Sequence, residues 1–225
     1  MFREQERYGR DPSKVVRTKT WGDPVRWQRQ AEAAGRRDLV FTCSWSDWFH
    51  VDADPWRAEA WAVVRKCPNL QFQILTKRAE RIAANLPADW GPAGYRNVWL
   101  GVSVENRRHG LPRVDLLRPI PAAVRFLSIE PLLEDLGPVN LHRIDWVIVG
   151  GESGPEFRPM RHEWAEALRD QCVAAGVSFF FKQSSGVRAG TGVELGGRVA
   201  QEFPAVRFEV LDRRQLALYP GGANE

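Results

Sequence analysis

The sequence predicts an α/β protein built on a parallel (β/α) partial barrel of about six strands, and three observations lead there. Six short apolar runs rich in β-branched and aromatic residues recur along the 225-residue chain, the pattern of buried strands. Each run ends in a polar cluster holding an ionisable side chain. Those side chains, Asp47, Lys77, Glu105, Glu130, Glu152 and Lys182, follow one another at intervals of 30, 28, 25, 22 and 30 residues, the length of a repeated strand-helix unit. With 44% hydrophobic and 27% charged residues, the composition is that of a soluble globular protein. The chain has no run of about 18 apolar residues, so no membrane span is expected. The N-terminus, MFREQERYGR, is charged from its third residue and offers no secretory signal, which makes a cytoplasmic location the expectation.

The elements follow in order. Residues 1–37 form a basic helical or irregular segment with ten Lys/Arg against five Asp/Glu. Such a stretch could meet phosphates, although scattered charge more commonly marks a solvated helix face. Residues 38–183 carry the barrel. Its strands are Leu39 to Cys43, Leu70 to Leu75, Val98 to Val102, Val124 to Ile129, Trp146 to Val149 and Val177 to Phe181. Asp54-Pro55 opens the first crossover helix with a cap residue and a first-turn proline. Trp56, Ala60, Val63, Val64 and Cys67 then form an apolar stripe. Ala79, Ile82, Ala83 and Leu86 repeat that stripe after the second strand, and Trp164, Leu168, Cys172 and Ala175 repeat it before the sixth. Pro112, Pro119, Pro121 and Pro138 make the helices after the third and fourth strands short or irregular. Residues 184–225 form a glycine-rich extension: a mobile loop, a short strand or helix near Val206 to Leu218, and a disordered tail from 219.

Successive strand-helix-strand units give a parallel sheet, open and doubly wound or curled. The curled form is predicted, because a dinucleotide fold normally carries a glycine-rich turn after its first strand and Cys43-Ser44-Trp45-Ser46-Asp47 has none. In a barrel all six polar clusters share one mouth. Taken singly, each has a plainer meaning: Ser or Asp capping a helix, Asn106 ending a turn, Gly150-Gly151 permitting a bend. Four carboxylates and two lysines around one cavity suit a zwitterionic or polyhydroxylated ligand, and two glycines let backbone approach a flat or anionic group. No metal site is expected. Asp47, His50, Asp52 and Asp54 are turn and cap residues without a calcium-loop pattern, and Cys43, Cys67 and Cys172, spaced 24 and 105 apart, read as reduced core thiols. The ten tryptophans are expected mostly inside.

Phe41 to His50, Gln73 to Arg78, Asn97 to Asn106, Phe126 to Leu132, Asp145 to Gly154 and Phe179 to Gln183 together resemble a phage-associated family of unknown function. Its members carry a three-cysteine motif and look like radical S-adenosylmethionine (SAM) enzymes. The resemblance runs from residue 1 to about 206. Family members place the motif, ending in a Cys-x-x-Cys-Tyr-like element, ahead of the region matching Met1, and its thiolates would hold a [4Fe–4S] cluster. The chain has no cysteine before Cys43. It therefore looks as if it begins just past the cluster loop, and as written it is expected not to assemble that cluster.

The resemblance implies an enzyme core with SAM as cofactor. Ser103 and Glu105 would meet the ribose or amino group, with Glu152 also on the cofactor side. The Gly150-Gly151 backbone would meet the adenine or methionine portion. Lys77 or Lys182 would meet the carboxylate, while Asp47 and Glu130 face the substrate. Two other readings stand beside it. One is a cluster-free barrel enzyme with Lys77 or Lys182 as a Schiff-base lysine, against which both lysines read as counter-ions. The other is a binding module whose basic N-terminal segment holds nucleic acid. Nucleic acid or a phage-encoded partner protein are the partners in view, and an open barrel edge would favour a homodimer.

Overall fold

A computed structural model describes residues 17–18, 20–44 and 46–205 of the protein. Arg3, Arg7, Arg10, Lys14 and Lys19 of the basic segment, Trp45, the element predicted near Val206 to Leu218 and the predicted disordered tail lie outside the described residues.

Six strands, β1 (Asp38–Phe41), β2 (Leu70–Thr76), β3 (Val98–Ser103), β4 (Val124–Ile129), β5 (Trp146–Gly150) and β6 (Ser178–Gln183), pair in that order and all in parallel. Each lies within two residues of its predicted span. β1 ends early because Thr42 makes the last ladder bond, donating its N–H to Gln73 O, before Cys43 turns out of the strand at φ 54°. In a sequential strand order, right-handed crossovers all fall on one face, so the sheet curls away from them. The result is a half-barrel. Beyond β6, a short hairpin, β7 (Glu194–Leu195) and β8 (Arg198–Val199), leads into a segment that runs antiparallel along the β6 edge, with Phe181 N–H on Ala200 O and Glu202 N–H on Phe179 O.

Four helices are described. α1 (Asp23–Ala33) has a proline in its first turn and exchanges two side-chain hydrogen bonds between Gln28 and Asn69 at the start of β2. α2 (Asp54–Arg65) begins at the predicted Asp54-Pro55, and of the predicted stripe Val64 and Cys67 are buried while Trp56, Ala60 and Val63 are half-buried, because the buried face is rotated to include Arg57 and Trp61. The rotation has a local cause. The Arg57 guanidinium donates to Trp48 O, His50 O and Asn85 Oδ1 and pairs with Asp54, so a charged residue is satisfied at a buried helical position. Cys67 is buried just past the helix, as expected.

The helix predicted through Ala79 to Leu86 is instead two 3₁₀ turns, Ala79–Arg81 and Ala83–Asn85. Pro87 keeps Leu86 out of the helical region, at ψ 148°, so the segment is too short for an α-helix although Ala79 and Ile82 are still buried. α3 (Leu111–Leu117) is the short helix that Pro112 foretells, and between β4 and β5 no helix occurs among the described residues. α4 (His162–Ala175) ends at Gly176, whose φ of 65° forms the left-handed cap.

Strand alternation separates two cores. Facing the helices are Phe72, Ile74, Leu100, Leu127 and Val147 with Trp61, Leu117 and Leu168. On the concave face Trp99, Val124, Phe126 and Trp146 cluster with Leu75, Ile148 and Phe180. Gly101 makes this inner layer fit, because the Phe126 ring lies where any β-carbon on Gly101 would be. Trp146 meets Trp99 edge to face at 5.7 Å. Every tryptophan among the described residues is buried or half-buried. Burial pushes the Cys67 thiol up to about 11 and the Cys172 thiol up to about 12, so both are inert core groups. No helix among the described residues is long and apolar enough to cross a membrane.

Candidate functional site at the strand ends

Parallel pairing puts residues of equal register on the same face, which orders the concave side into layers. Above the aromatic layer, Ser103 of β3 and Ser128 of β4 are register partners, and Ile148 and Phe180 continue that level across β5 and β6. Lys77 extends it beyond β2. One alternation higher come Glu105, Glu130, Gly150 and Lys182. Going round the rim, the charge order is positive, negative, negative, a glycine, positive.

The two carboxylates are both paired. Glu105 contacts Lys77 and, through its second oxygen, Arg113 Nη1 at 2.9 Å. Arg113 also donates to Ser103 O at 2.7 Å, which fixes it to the strand end. Burial pushes the Glu105 carboxyl up, yet hydrogen bonds from Lys77 and Arg113 outweigh it and hold the group below the ordinary carboxylate range. Glu130 accepts from Lys182 Nζ at 2.7 Å, across the top of β5. Gly150 lies between them. A β-carbon there would stand 3.3 Å from Glu130 Cγ and 3.5 Å from Lys182 Cβ, so glycine lets the pair close over the strand.

Beneath the carboxylates Ser103 is only 5% and Ser128 only 6% exposed. Their backbone oxygens are used, by Arg113 and by Val104 N–H, but neither hydroxyl bonds to any described residue. Among the described residues the side-chain atoms buried without a partner are Trp48 Nε1, Trp99 Nε1 and both amide atoms of Gln71, and neither serine hydroxyl is one of them, which leaves the two hydroxyls as polar groups lining the concavity under the carboxylates.

The other predicted residues take up different work. Asp47 accepts from Phe49 N–H, Thr76 Oγ1, Lys77 N–H and Arg78 Nη1 at 2.7–3.0 Å. Both its oxygens are spent on joining the end of β1 to that of β2, and it thereby sets where Lys77 starts. Glu152 receives Arg158 in a two-pronged bond of 2.7 and 2.8 Å plus the Arg158 N–H. Those hydrogen bonds lower its carboxyl to about 2. Gly151 is approached closely by its own chain: its N–H bonds to Gln183 O, and the Ser184–Ser185 backbone occupies the space of a β-carbon.

Nothing among the described residues gathers three His, Cys, Asp or Glu groups fit for a metal. His50 Nδ1 accepts from Asp52 N–H, and Asp54 is held by Arg57 and Arg81. With Cys67 and Cys172 in the core and Cys43 exposed beyond β1, the three thiols do not fit a [4Fe–4S] cluster. In the basic segment Arg17 pairs with Glu59 at 2.5 Å, Arg26 with Asp23 at 3.4 Å and Arg36 with Asp38 at 2.8 Å. A cleft of about 880 Å³ lies at the opposite end of the sheet, between the start of β5 and the end of α4, but it is away from the layered polar groups of the rim.

Sequence reasoning missed Arg113 and the separate role of Ser128. Ser128 was visible two residues before Glu130, the strand spacing that puts both on one face. Arg113 carried no such signal, because the turn at Gly110 brings it back eight residues after Glu105. A family model described as a protein of unknown function (DUF5131) matches residues 2–204, and the chain belongs to that family. No curated protein and no solved structure matches it.

Proposed function

We propose that this member of the DUF5131 family is a radical-SAM-like enzyme core that binds S-adenosylmethionine across the ends of its strands. The observation that carries the reading is the pair of register partners Ser103 and Ser128 set under carboxylate-lysine pairs on the concave face. SAM bears an ammonium, a carboxylate, ribose hydroxyls and a flat base, and the rim supplies a partner for each polar kind. Glu105 accepts from the ammonium or the ribose hydroxyls, Ser103 shares the latter, and Lys77 leaves Glu105 to meet the carboxylate. Because Arg113 stays behind, Glu105 keeps a counter-ion throughout the exchange. The Gly150 backbone would meet the base where the Glu130–Lys182 pair, which closes over it, gives way. SAM, when bound, would supply a sulfonium-activated carbon. No step through an iron-sulfur cluster is proposed for this chain, whose cysteines do not fit one.

The test is calorimetric titration of the 225-residue protein with SAM. Saturable binding is expected, weakened about tenfold or more in Glu105→Gln, since a hydrogen bond to a charged group is worth about 1.5–3 kcal/mol. Absence of binding at millimolar SAM by protein with native circular dichroism, or equal affinity in Glu105→Gln, would overturn the reading.

A further inference from the structure

The rim holds the same recognition set twice. Lys77, Glu105 and Ser103 make one set, and Lys182, Glu130 and Ser128 the other, side by side on one concave face. SAM has one amino-acid end and can fill one of them. We propose that the second set, Glu130, Lys182 and Ser128, is the substrate subsite, and that it takes a free α-amino acid with an apolar or aromatic side chain. This rests on the SAM reading for the order of occupancy, but its own geometry is independent of it.

Four features carry it. Glu130 and Lys182 meet at 2.7 Å and no second cation among the described residues holds Glu130, so an incoming ammonium and carboxylate can insert between them to give an alternating array of four charges. Lys182 is 53% exposed against 20% for Glu130, so the lysine can swing into solvent at little cost while the incoming ammonium takes its place on the carboxylate. Ser128, 6% exposed, precedes Glu130 by two residues and so lies below the carboxylate on the same face. The floor beside it differs from the floor of the first set: at the level where the first set has Lys77 and Ser103, the second has half-buried Ile148 and Phe180. The Glu130 and Lys182 side chains close over Gly150, so an apolar side chain reaches that floor when the incoming charges part the pair, while its own two charges stay at the rim.

The experiment titrates L-phenylalanine and L-leucine into the protein, with and without saturating SAM. Phenethylamine, which lacks the carboxylate, and N-acetyl-L-phenylalanine, which lacks the cation, are run in parallel. Both amino acids should bind, and each single-charge analogue should bind about tenfold or more weakly. Glu130→Gln and Lys182→Met should each lose about tenfold or more, and the exchanged pair Glu130→Lys with Lys182→Glu should recover part of the loss, which a merely misfolded rim would not do. Equal binding of either analogue, no recovery in the exchanged pair, or no binding of the amino acids up to about 10 mM would overturn the proposal. Amino-acid binding without SAM binding would sink the SAM reading and leave this one standing. SAM binding without amino-acid binding would do the reverse.

Discussion

Glu105 and Glu130 stand on neighbouring strands at the same height, each touching a lysine from a further strand, yet their surroundings differ. Glu105 has a second, fixed partner in Arg113, which is 17% exposed and tied to Ser103 O, whereas Glu130 has Lys182 alone among the described residues. The difference teaches what a buttress does. A carboxylate with a fixed counter-ion stays charged while its mobile lysine swings away, and a carboxylate without one must be handed from one cation to another. The first is suited to hold a ligand for the length of a reaction, the second to exchange one.

Removing the buttress is the strongest way to break that contrast. Arg113→Ala should destabilise the protein by about 2 kcal/mol or more in urea unfolding, because a largely buried carboxylate is left with one exposed lysine. Lys77→Met, taking away the mobile partner instead, should cost less than about 1 kcal/mol. The pH dependence follows in sign. The folded Glu105 carboxyl is depressed, so its contribution is present above the ordinary carboxylate range and fades as pH falls through the lower folded value. In Arg113→Ala the loss should begin at higher pH.

On the Glu130 side, Gly150→Val should force the pair apart and cost about 1–3 kcal/mol from overpacking, with no shift in the acid limb assigned to Glu105. The smallest effect belongs to Glu152→Gln. The Glu152–Arg158 clasp, with its carboxyl near 2, should persist until pH falls toward that value, so wild type and variant should converge in thermal midpoint only at the acid extreme.

The half-barrel was legible in the sequence because strand ends repeat at unit spacing, while the alternation by two that sets Ser128 under Glu130 went unused. Lys77, Glu105, Glu130 and Lys182 do share the rim. The regular periodicity that revealed them says nothing about irregular return segments, and those decide the partners. Arg113 comes back through a turn, Asp47 is consumed by the start of the 76–78 segment, and Gly151 is pressed by residues 184–185 through tertiary packing. The failed helix after β2 has the same origin, since its apolar spacing was sound and Pro87 shortened it. Arg57 shows the reverse case: a stripe drawn from apolar residues alone cannot register a guanidinium that finds its acceptors in distant loops.

The aromatic layer of Trp99, Phe126 and Trp146 below the serines carries a consequence. It fills the bottom of the concavity like the base of a cup. A molecule seated against that layer can therefore leave only by the rim or the open side of the half-barrel, a limit set by three rings and one missing β-carbon.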